Sequence, residues 1–167
     1  MVLDGGPATV DALGGKGAAL GNLISWGLPV PPCAAVTTRA YEAIASDARV
    51  RKLVSEIRSG ATVPASDVDS VVLDVDFDLG TRDAIIDAAR RVSGGEQLAV
   101  RSSATVEDLA GSSFAGQYRS ILHVDPDDGL VDAVKLVFAS LLHPAPCAYR
   151  RALGVDDERA AMCALMM

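Results

Sequence analysis

Several features are scarce in this chain of 167 residues, and each scarcity excludes a class of protein. Positive charge is in the minority: there are 15 Lys and Arg residues against 22 Asp and Glu residues, a net charge of −7 at pH 7. An acidic balance of this size disfavours non-specific binding to nucleic acids and to anionic membranes. It does not disfavour a nucleotide, because a phosphate site depends on the charge of a few local side chains.

Cysteines, aromatic residues and long apolar runs are also few. The three cysteines, Cys33, Cys147 and Cys163, are odd in number and widely spaced. They therefore predict neither a zinc site nor a disulfide framework, and we interpret them as buried free thiols. No apolar run approaches the roughly 20 residues that span a bilayer, and the first residues lack the basic flank and apolar stretch of a signal peptide. We therefore expect a soluble, cytoplasmic protein with a core of aliphatic side chains.

The most informative segment is LAVRSSATVEDLAGSSFAGQYRSILHV, at residues 98–124. Its first apolar residues predict a buried strand that leads Arg101 into a loop rich in glycine and hydroxyl side chains. A second strand follows, and regular alternation would place Ser120 and Val124 on the same face. A cation beside many N–H and O–H donors suits a polyphosphate, because glycines let the backbone approach the anion and the donors replace its water.

A second cation, Lys16, lies in the glycine cluster LGGKGAAL, where a helix is predicted from Gly15 to Trp26. Backbone N–H groups at the start of a helix favour anions, and Lys16 would add a point charge. The segment is not a Walker A loop, since Gly17 follows the lysine where that motif requires Ser or Thr. Taken alone, a lysine flanked by glycines is more simply a solvated residue on a turn.

The segments GGKGAALGNL, VPPCAAVTTRAY and VRSSATVEDLAGSSFAGQ follow one another in this order. From about Gly14 to about Met167, the chain resembles the N-terminal ATP-binding region of the phosphoenolpyruvate synthase family, which comprises pyruvate, water dikinase and relatives such as rifampicin phosphotransferase. The resemblance implies that residues 1–167 form the first lobe of an ATP-grasp-type domain. The implied fold is of the mixed α/β (α+β) class, with a small, mostly antiparallel sheet and about five or six helices.

The resemblance also implies a set of phosphate-binding residues. The lysine of GGKG and the arginine of VRSS contact the ATP phosphates in the family, the SFAGQ loop closes over them, and a threonine usually follows the loop where this chain has serine. The implied contacts are Lys16, Arg101, Ala115, Gly116, Gln117 and Ser120. No catalytic residue is assigned within the chain.

Other interpretations stay open for several residues of this segment. Arg101 could pair with Glu107 or Asp108 and tie the loop down. These two acids are more simply loop-ordering residues than magnesium ligands. Gly116 could serve only a turn, and Arg119 could be either a surface charge or a third cation for the phosphates.

The resemblance further implies partners for this lobe. In the family, a second lobe supplies the acidic Mg²⁺ ligands and much of the adenine pocket, and a separate domain carries the phosphohistidine. His123 and His143 lack that domain's T-H motif, so we expect structural or surface positions for both. We expect these residues to bind ATP weakly and to need a second lobe, a partner chain or a second copy for turnover. An antibiotic phosphotransferase and a non-catalytic binding module are the alternatives to a pyruvate, water dikinase-like enzyme.

The remaining segments give a coarse set of elements. Helices are predicted after Thr37 or Thr38, over 50–57, from Thr81 to Gly94, from an Asp125 cap onward and over 148–153, and strands at 34–36 and 161–167. The acidic stretch 61–79 is predicted to be a solvated connector. It is not an EF-hand, because positions six and twelve counted from Asp74 hold Leu79 and Ile85.

Overall fold

A computed structural model of the chain describes residues 1–106, 116–157 and 160–167. Seven α-helices and four strands lie in these residues. The helices are α1 (Val10–Ser25), α2 (Thr38–Ala45), α3 (Ala48–Arg58), α4 (Ala65–Leu73), α5 (Leu79–Ser93), α6 (Leu130–Ala139) and α7 (Pro144–Ala152). The strands are β1 (Ala34–Val36), β2 (Leu98–Ala104), β3 (Ser120–Val124) and β4 (Met162–Met166), and a single 3₁₀ turn, Ser140–Leu142, joins α6 to α7.

The four strands form one antiparallel sheet in the order β1-β4-β2-β3. β4 lies inside the sheet, where it pairs with β1 on one side and with β2 on the other. Every residue of β4 is buried, as expected of an inner strand that is covered on both faces. The predicted class, mixed α/β with a small antiparallel sheet, is confirmed.

The two faces of the sheet are covered differently. On one face, side chains such as Val100, Ala104 and Met162 join the main core, to which α2–α7 contribute. On the other face, Ala35, Cys163 and Leu165 form a smaller cluster with Leu13 of α1. Strand alternation places the odd-numbered residues of β2 on this second face, which is where the candidate site lies.

The acidic stretch 61–79 is not a loop, contrary to the prediction. It contains α4, which buries Val68 and Val72 and packs against α6. The spacing of these valines, four residues apart, is that of one helix face. The aspartates around these valines obscured this face, because several acidic side chains in so short a stretch are typical of a solvated segment.

Two predicted helix caps are also wrong. α5 begins after Asp78, whose Oδ1 accepts from the Thr81 N–H at 2.9 Å. Thr81, the predicted cap, instead donates its hydroxyl to Asp78 Oδ2 at 2.6 Å. Asp125 closes a local turn by accepting from the Asp127 N–H at 2.8 Å, and α6 begins only after Gly129, which has φ 72°. In both cases an aspartate competes for nearby N–H groups, and sequence alone does not decide which donor it takes.

The predicted alternation of β3 fails near its end. Val100 pairs with Ile121 and Leu98 pairs with Val124, so three steps along β3 match two steps along β2. The extra residue is a β-bulge, and His123 adopts φ 58° there. Val124 consequently turns into the main core together with Ile121, and it does not share a face with Ser120.

The cysteines and the most apolar helical segment are both largely buried. Cys33, Cys147 and Cys163 are buried and free, as predicted. The segment Leu130–Ala152 is apolar and long enough to cross a membrane by length and composition alone, but 67% of its most apolar window is buried inside the protein. Such burial is typical of a core helix.

Candidate phosphate-binding site

A sharp break in α1 shapes the site. Gly14 has φ 67° and ψ 178°, values outside the helical region. A Cβ atom at this position would lie 2.1 Å from the carbonyl oxygen of Ser103. Both the backbone conformation and the close approach of β2 therefore require glycine. The long helical segment that follows begins at Gly15, as the sequence predicted.

The side chain of Ser103 occupies the break. Its Oγ accepts from the Gly17 N–H at 2.9 Å and donates to the Leu13 carbonyl at 2.6 Å. In an unbroken α-helix, the Gly17 N–H would donate to that carbonyl directly. The serine hydroxyl has thus been inserted into the helical hydrogen-bond ladder, a known cause of helix kinks.

A second hydroxyl supports the same turn from α2. Thr38 Oγ1 donates to the carbonyl of Asp11 at 2.7 Å, which an unbroken helix would use for the Gly15 N–H. Thr38 is buried. The break in α1 is therefore held from two sides, by β2 and by α2, and it is a fixed feature of the fold.

Arg101 lies in the middle of β2, not in the loop that the sequence predicted. Its direct neighbours are Ser120 on β3 and Leu165 on β4. Directly paired residues of antiparallel strands share a face, with Cβ atoms about 4.5–5.5 Å apart. Arg101 and Ser120 therefore lie side by side on the face that carries α1. Arg101 is exposed there, with Nη1 4.0 Å from Met167 Sδ.

Lys16 belongs to the segment of the broken helix that is bonded to β2. It is half-buried and lies next to Gly17, which is bonded to Ser103. Ser103 in turn lies two residues from Arg101 on the same strand face. The structure thus brings the GGKG and VRSS segments together, as the sequence predicted. Cations carried by the segments around the start of a helical segment would favour an anion there.

The described part of the glycine-rich loop contributes two exposed residues. Gly116 has φ 74° and open space where a Cβ would lie, so its conformation, not its packing, favours glycine. Gln117 follows it and is exposed. Ala115, Glu107 and Asp108 lie outside the described residues.

Sequence reasoning missed the partner of Arg119. Its Nη1 donates to Asp69 Oδ2 at 2.9 Å, across 50 residues of sequence. Asp69 belongs to α4, in the stretch predicted to be a solvated loop. Arg119 is therefore not a solvated surface charge, and its guanidinium is directed to the helical layer. No local sequence signal connects these two residues.

The described residues contain no group of three or more His, Cys, Asp or Glu side chains that could hold a metal ion. The hydroxyls of Ser103 and Thr38 form hydrogen bonds at the break in α1. Together with the cations Lys16 and Arg101 on the adjoining segments, this is a set of groups that suits an anion and not a metal ion.

Comparison with known proteins agrees with this chemistry. The family described as "Pyruvate phosphate dikinase, AMP/ATP-binding domain" matches residues 10–167. The chain belongs to this family. The matched residues include all the described helices and strands, from α1 to β4, and both cation-bearing segments.

Relatives of this chain include proteins named as phosphoenolpyruvate synthases and one named as a transferase. A probable phosphoenolpyruvate synthase of Methanocaldococcus jannaschii is 35% identical over 94% of this chain and 14% of its own length. The phosphoenolpyruvate synthase of Escherichia coli is 33% identical over 93% of the chain and 22% of its own length. The prodigiosin synthesizing transferase PigC of Serratia marcescens is 36% identical over 93% of the chain and 17% of its own length. The chain therefore spans less than a quarter of the length of these relatives.

Proposed function

We propose that this chain binds the phosphates of ATP on the sheet face that carries α1. The observation that supports this most directly is the Ser103 bridge, which joins the Lys16 segment to the Arg101 strand. Lys16 and Arg101 would neutralise phosphate charge. The backbone at Ala115, Gly116 and Gln117 and the hydroxyl of Ser120 would donate hydrogen bonds. Catalysis of phosphoryl transfer consists mainly of such positioning and charge neutralisation.

We further propose that residues 1–167 act as the first lobe of an ATP-grasp-type domain. A second lobe, provided elsewhere in a longer chain or by a partner or a second copy, would complete the adenine pocket. It would also supply most ligands for Mg²⁺, since the described residues offer no metal cluster. The complete, cytoplasmic enzyme would consume ATP and water: the β-phosphate would pass to a histidine on a separate domain, with AMP as the leaving group, and the γ-phosphate would be released to water as inorganic phosphate. The phosphohistidine would then phosphorylate pyruvate.

A different acceptor is the second candidate. One relative is named a prodigiosin synthesizing transferase, so the same type of lobe also occurs in a protein with a different named product. The acceptor would bind on a part of the enzyme other than the ATP-binding lobe. The relatives reported above favour neither an antibiotic phosphotransferase nor a non-catalytic module.

Titration calorimetry tests the phosphate site directly. ATP, with and without Mg²⁺, and inorganic triphosphate would be titrated into the wild type, Lys16→Ala and Arg101→Ala. We expect saturable binding that each substitution weakens by about tenfold or more, because each removes a charge-assisted contact. Lys52→Ala is the matched control, since this lysine is 80% exposed on α3 and should not affect affinity. Absence of binding by the folded wild type at about 1 mM ligand, near −4 kcal/mol, would contradict the proposal.

A further inference from the structure

Arg119 and Asp69 form an ion pair on the helical side of the sheet. The distance between Arg119 Nη1 and Asp69 Oδ2 is 2.9 Å, and the side chains are 33% and 17% exposed. The second carboxylate oxygen, Asp69 Oδ1, lies 2.8 Å from His143 Nε2. Both oxygens of Asp69 are thus engaged, and this fixes the direction in which the arginine must lie.

The main chain of Arg119 is also anchored by a hydrogen bond. Its N–H donates to Ser140 Oγ at 3.2 Å, and that hydroxyl donates to the Val137 carbonyl at 2.6 Å. The preceding residue, Tyr118, is buried in the main core. Arg119 is therefore anchored to α4, to the 3₁₀ turn and, through its neighbour, to the core.

We propose that the Asp69–Arg119 pair positions Ser120 and the Gly116–Gln117 segment for phosphate binding. This inference rests on the proposed function. Ser120 directly follows Arg119 and pairs with Arg101 in the sheet. Because the arginine side chain extends to α4 while Ser120 lies on the opposite face, anchoring one residue sets the place of the other. Arg119 and Asp69 are positioning residues and do not themselves contact phosphate.

The burial of the pair separates it from an ordinary surface salt bridge. Exposed pairs exchange partners with water and specify little. A largely buried carboxylate, by contrast, is costly to leave without its cation, so one arrangement is strongly preferred. The pair Arg90–Asp127 provides the contrast within the same chain, since its side chains are 58% and 60% exposed.

Affinity for ATP and for inorganic triphosphate tests the inference, measured at a temperature where circular dichroism shows each variant to be folded. The variants are Asp69→Asn, Arg119→Gln, their combination and Arg119→Lys. We expect each of the first two to weaken binding about three- to tenfold, since residues without ligand contact typically change coupling by such amounts. The double variant should bind ATP no more weakly than the single variant with the lower affinity. Arg119→Lys should retain part of the wild-type affinity. Asp127→Asn, the control, should leave the affinity unchanged.

The alternatives give different results. Lower melting temperatures with unchanged affinity would show a purely structural role and overturn the inference. Tighter binding by Asp69→Asn would also overturn it, because it would mean that a released Arg119 contacts phosphate itself. Binding that depends on Lys16 and Arg101 but not on Arg119 would overturn only this inference. Absence of binding by the wild type would overturn the proposed function together with it.

Discussion

The hydroxyl of Ser103 lies 2.9 Å from the backbone nitrogen of Gly17, and this contact joins segments that are 86 residues apart in sequence. It replaces a helical hydrogen bond of α1 with a bond between α1 and β2. The segment that carries Lys16 is consequently joined directly to the strand that carries Arg101 by one buried side chain. A change at Ser103 should therefore affect both the fold and the proposed site.

Replacing Gly14 should be among the most damaging substitutions in the chain. Gly14→Ala would bring a Cβ atom to 2.1 Å from the Ser103 carbonyl oxygen at φ 67°. We expect a loss of roughly 3 kcal/mol or more of unfolding free energy, in the range of severe backbone and overpacking effects. Urea denaturation would measure it. Gly27→Ala is the control, because Gly27 has φ 72° but open space around it, so only the conformational cost of about 1 kcal/mol remains.

Removing the Ser103 hydroxyl should destabilise the protein and weaken ATP binding. Ser103→Ala leaves the Gly17 N–H and the Leu13 carbonyl without their bridge in a buried place, at a cost of about 1–3 kcal/mol. Denaturation and calorimetry on the same variant would measure the two effects. In the control Ser25→Ala, an exposed hydroxyl that donates to the Asn22 carbonyl is lost. A similar loss of stability in both variants would contradict a special role for the bridge.

The ion pair of Arg150 and Asp157 should stabilise the fold more than the exposed pair of Arg90 and Asp127. Arg150 Nε donates to Asp157 Oδ1 at 2.6 Å, and the arginine side chain is only 1% exposed. Asp157→Asn would leave a buried guanidinium without its anion, for which we expect about 3 kcal/mol of destabilisation. Chemical denaturation checks the value. The same change at Asp127, in an exposed pair, should have no measurable effect, and equal effects would refute the role of burial.

Stability should fall at alkaline pH because of buried thiols. Burial raises the pKa of the Cys163 thiol from its ordinary value of 9.0 to about 12. The folded state then holds a proton that the unfolded state releases, so its contribution is complete below pH 9 and declines as pH rises toward 12. The slope for one thiol is at most about 1.4 kcal/mol per pH unit.

The variant Cys163→Ala isolates this contribution. Between pH 7 and pH 10, the unfolding free energy of this variant should decline less steeply than that of the wild type. The small cavity left by the substitution lowers the unfolding free energy at every pH and therefore does not change the slope. Measurements should stay at or below pH 10. Burial also raises the pKa of Tyr41 from its ordinary value of 10.0 to about 12, so above pH 10 this tyrosine would add its own loss of stability. Parallel pH profiles for the two proteins would show that Cys163 is not responsible.

Patterns that depend on neighbouring residues could be predicted from the sequence. The apolar spacing around Leu53 predicted α3, and the run at 34–36 predicted β1, because helix and strand periods are local properties. The resemblance predicted that Lys16 and Arg101 bind the same phosphates, which stays a prediction. The structure shows that the Ser103 bridge joins the two segments that carry them.

Features set by distant contacts could not be predicted in this way. The break at Gly14 exists because Ser103 approaches it, and the loss of alternation in β3 depends on its register with β2. Asp69 looked like a solvated acid because its partner lies 50 residues away. The buried face of α4 consists of only two valines, Val68 and Val72. Two apolar residues are too short a pattern to predict a helix in a stretch rich in aspartate.

The inner position of β4 has a consequence for how the protein folds. β1, at residues 34–36, is joined to the sheet through Met162–Met166, so the chain must close a loop of more than a hundred residues before these strands meet. Pairings this distant in sequence slow folding. During synthesis, β2 and β3 can form their hairpin early, but β1 must wait for β4 to leave the ribosome. Until then the edge of β2 that β4 will cover is open to pairing with other chains, and an open strand edge of this kind favours aggregation of the nascent protein.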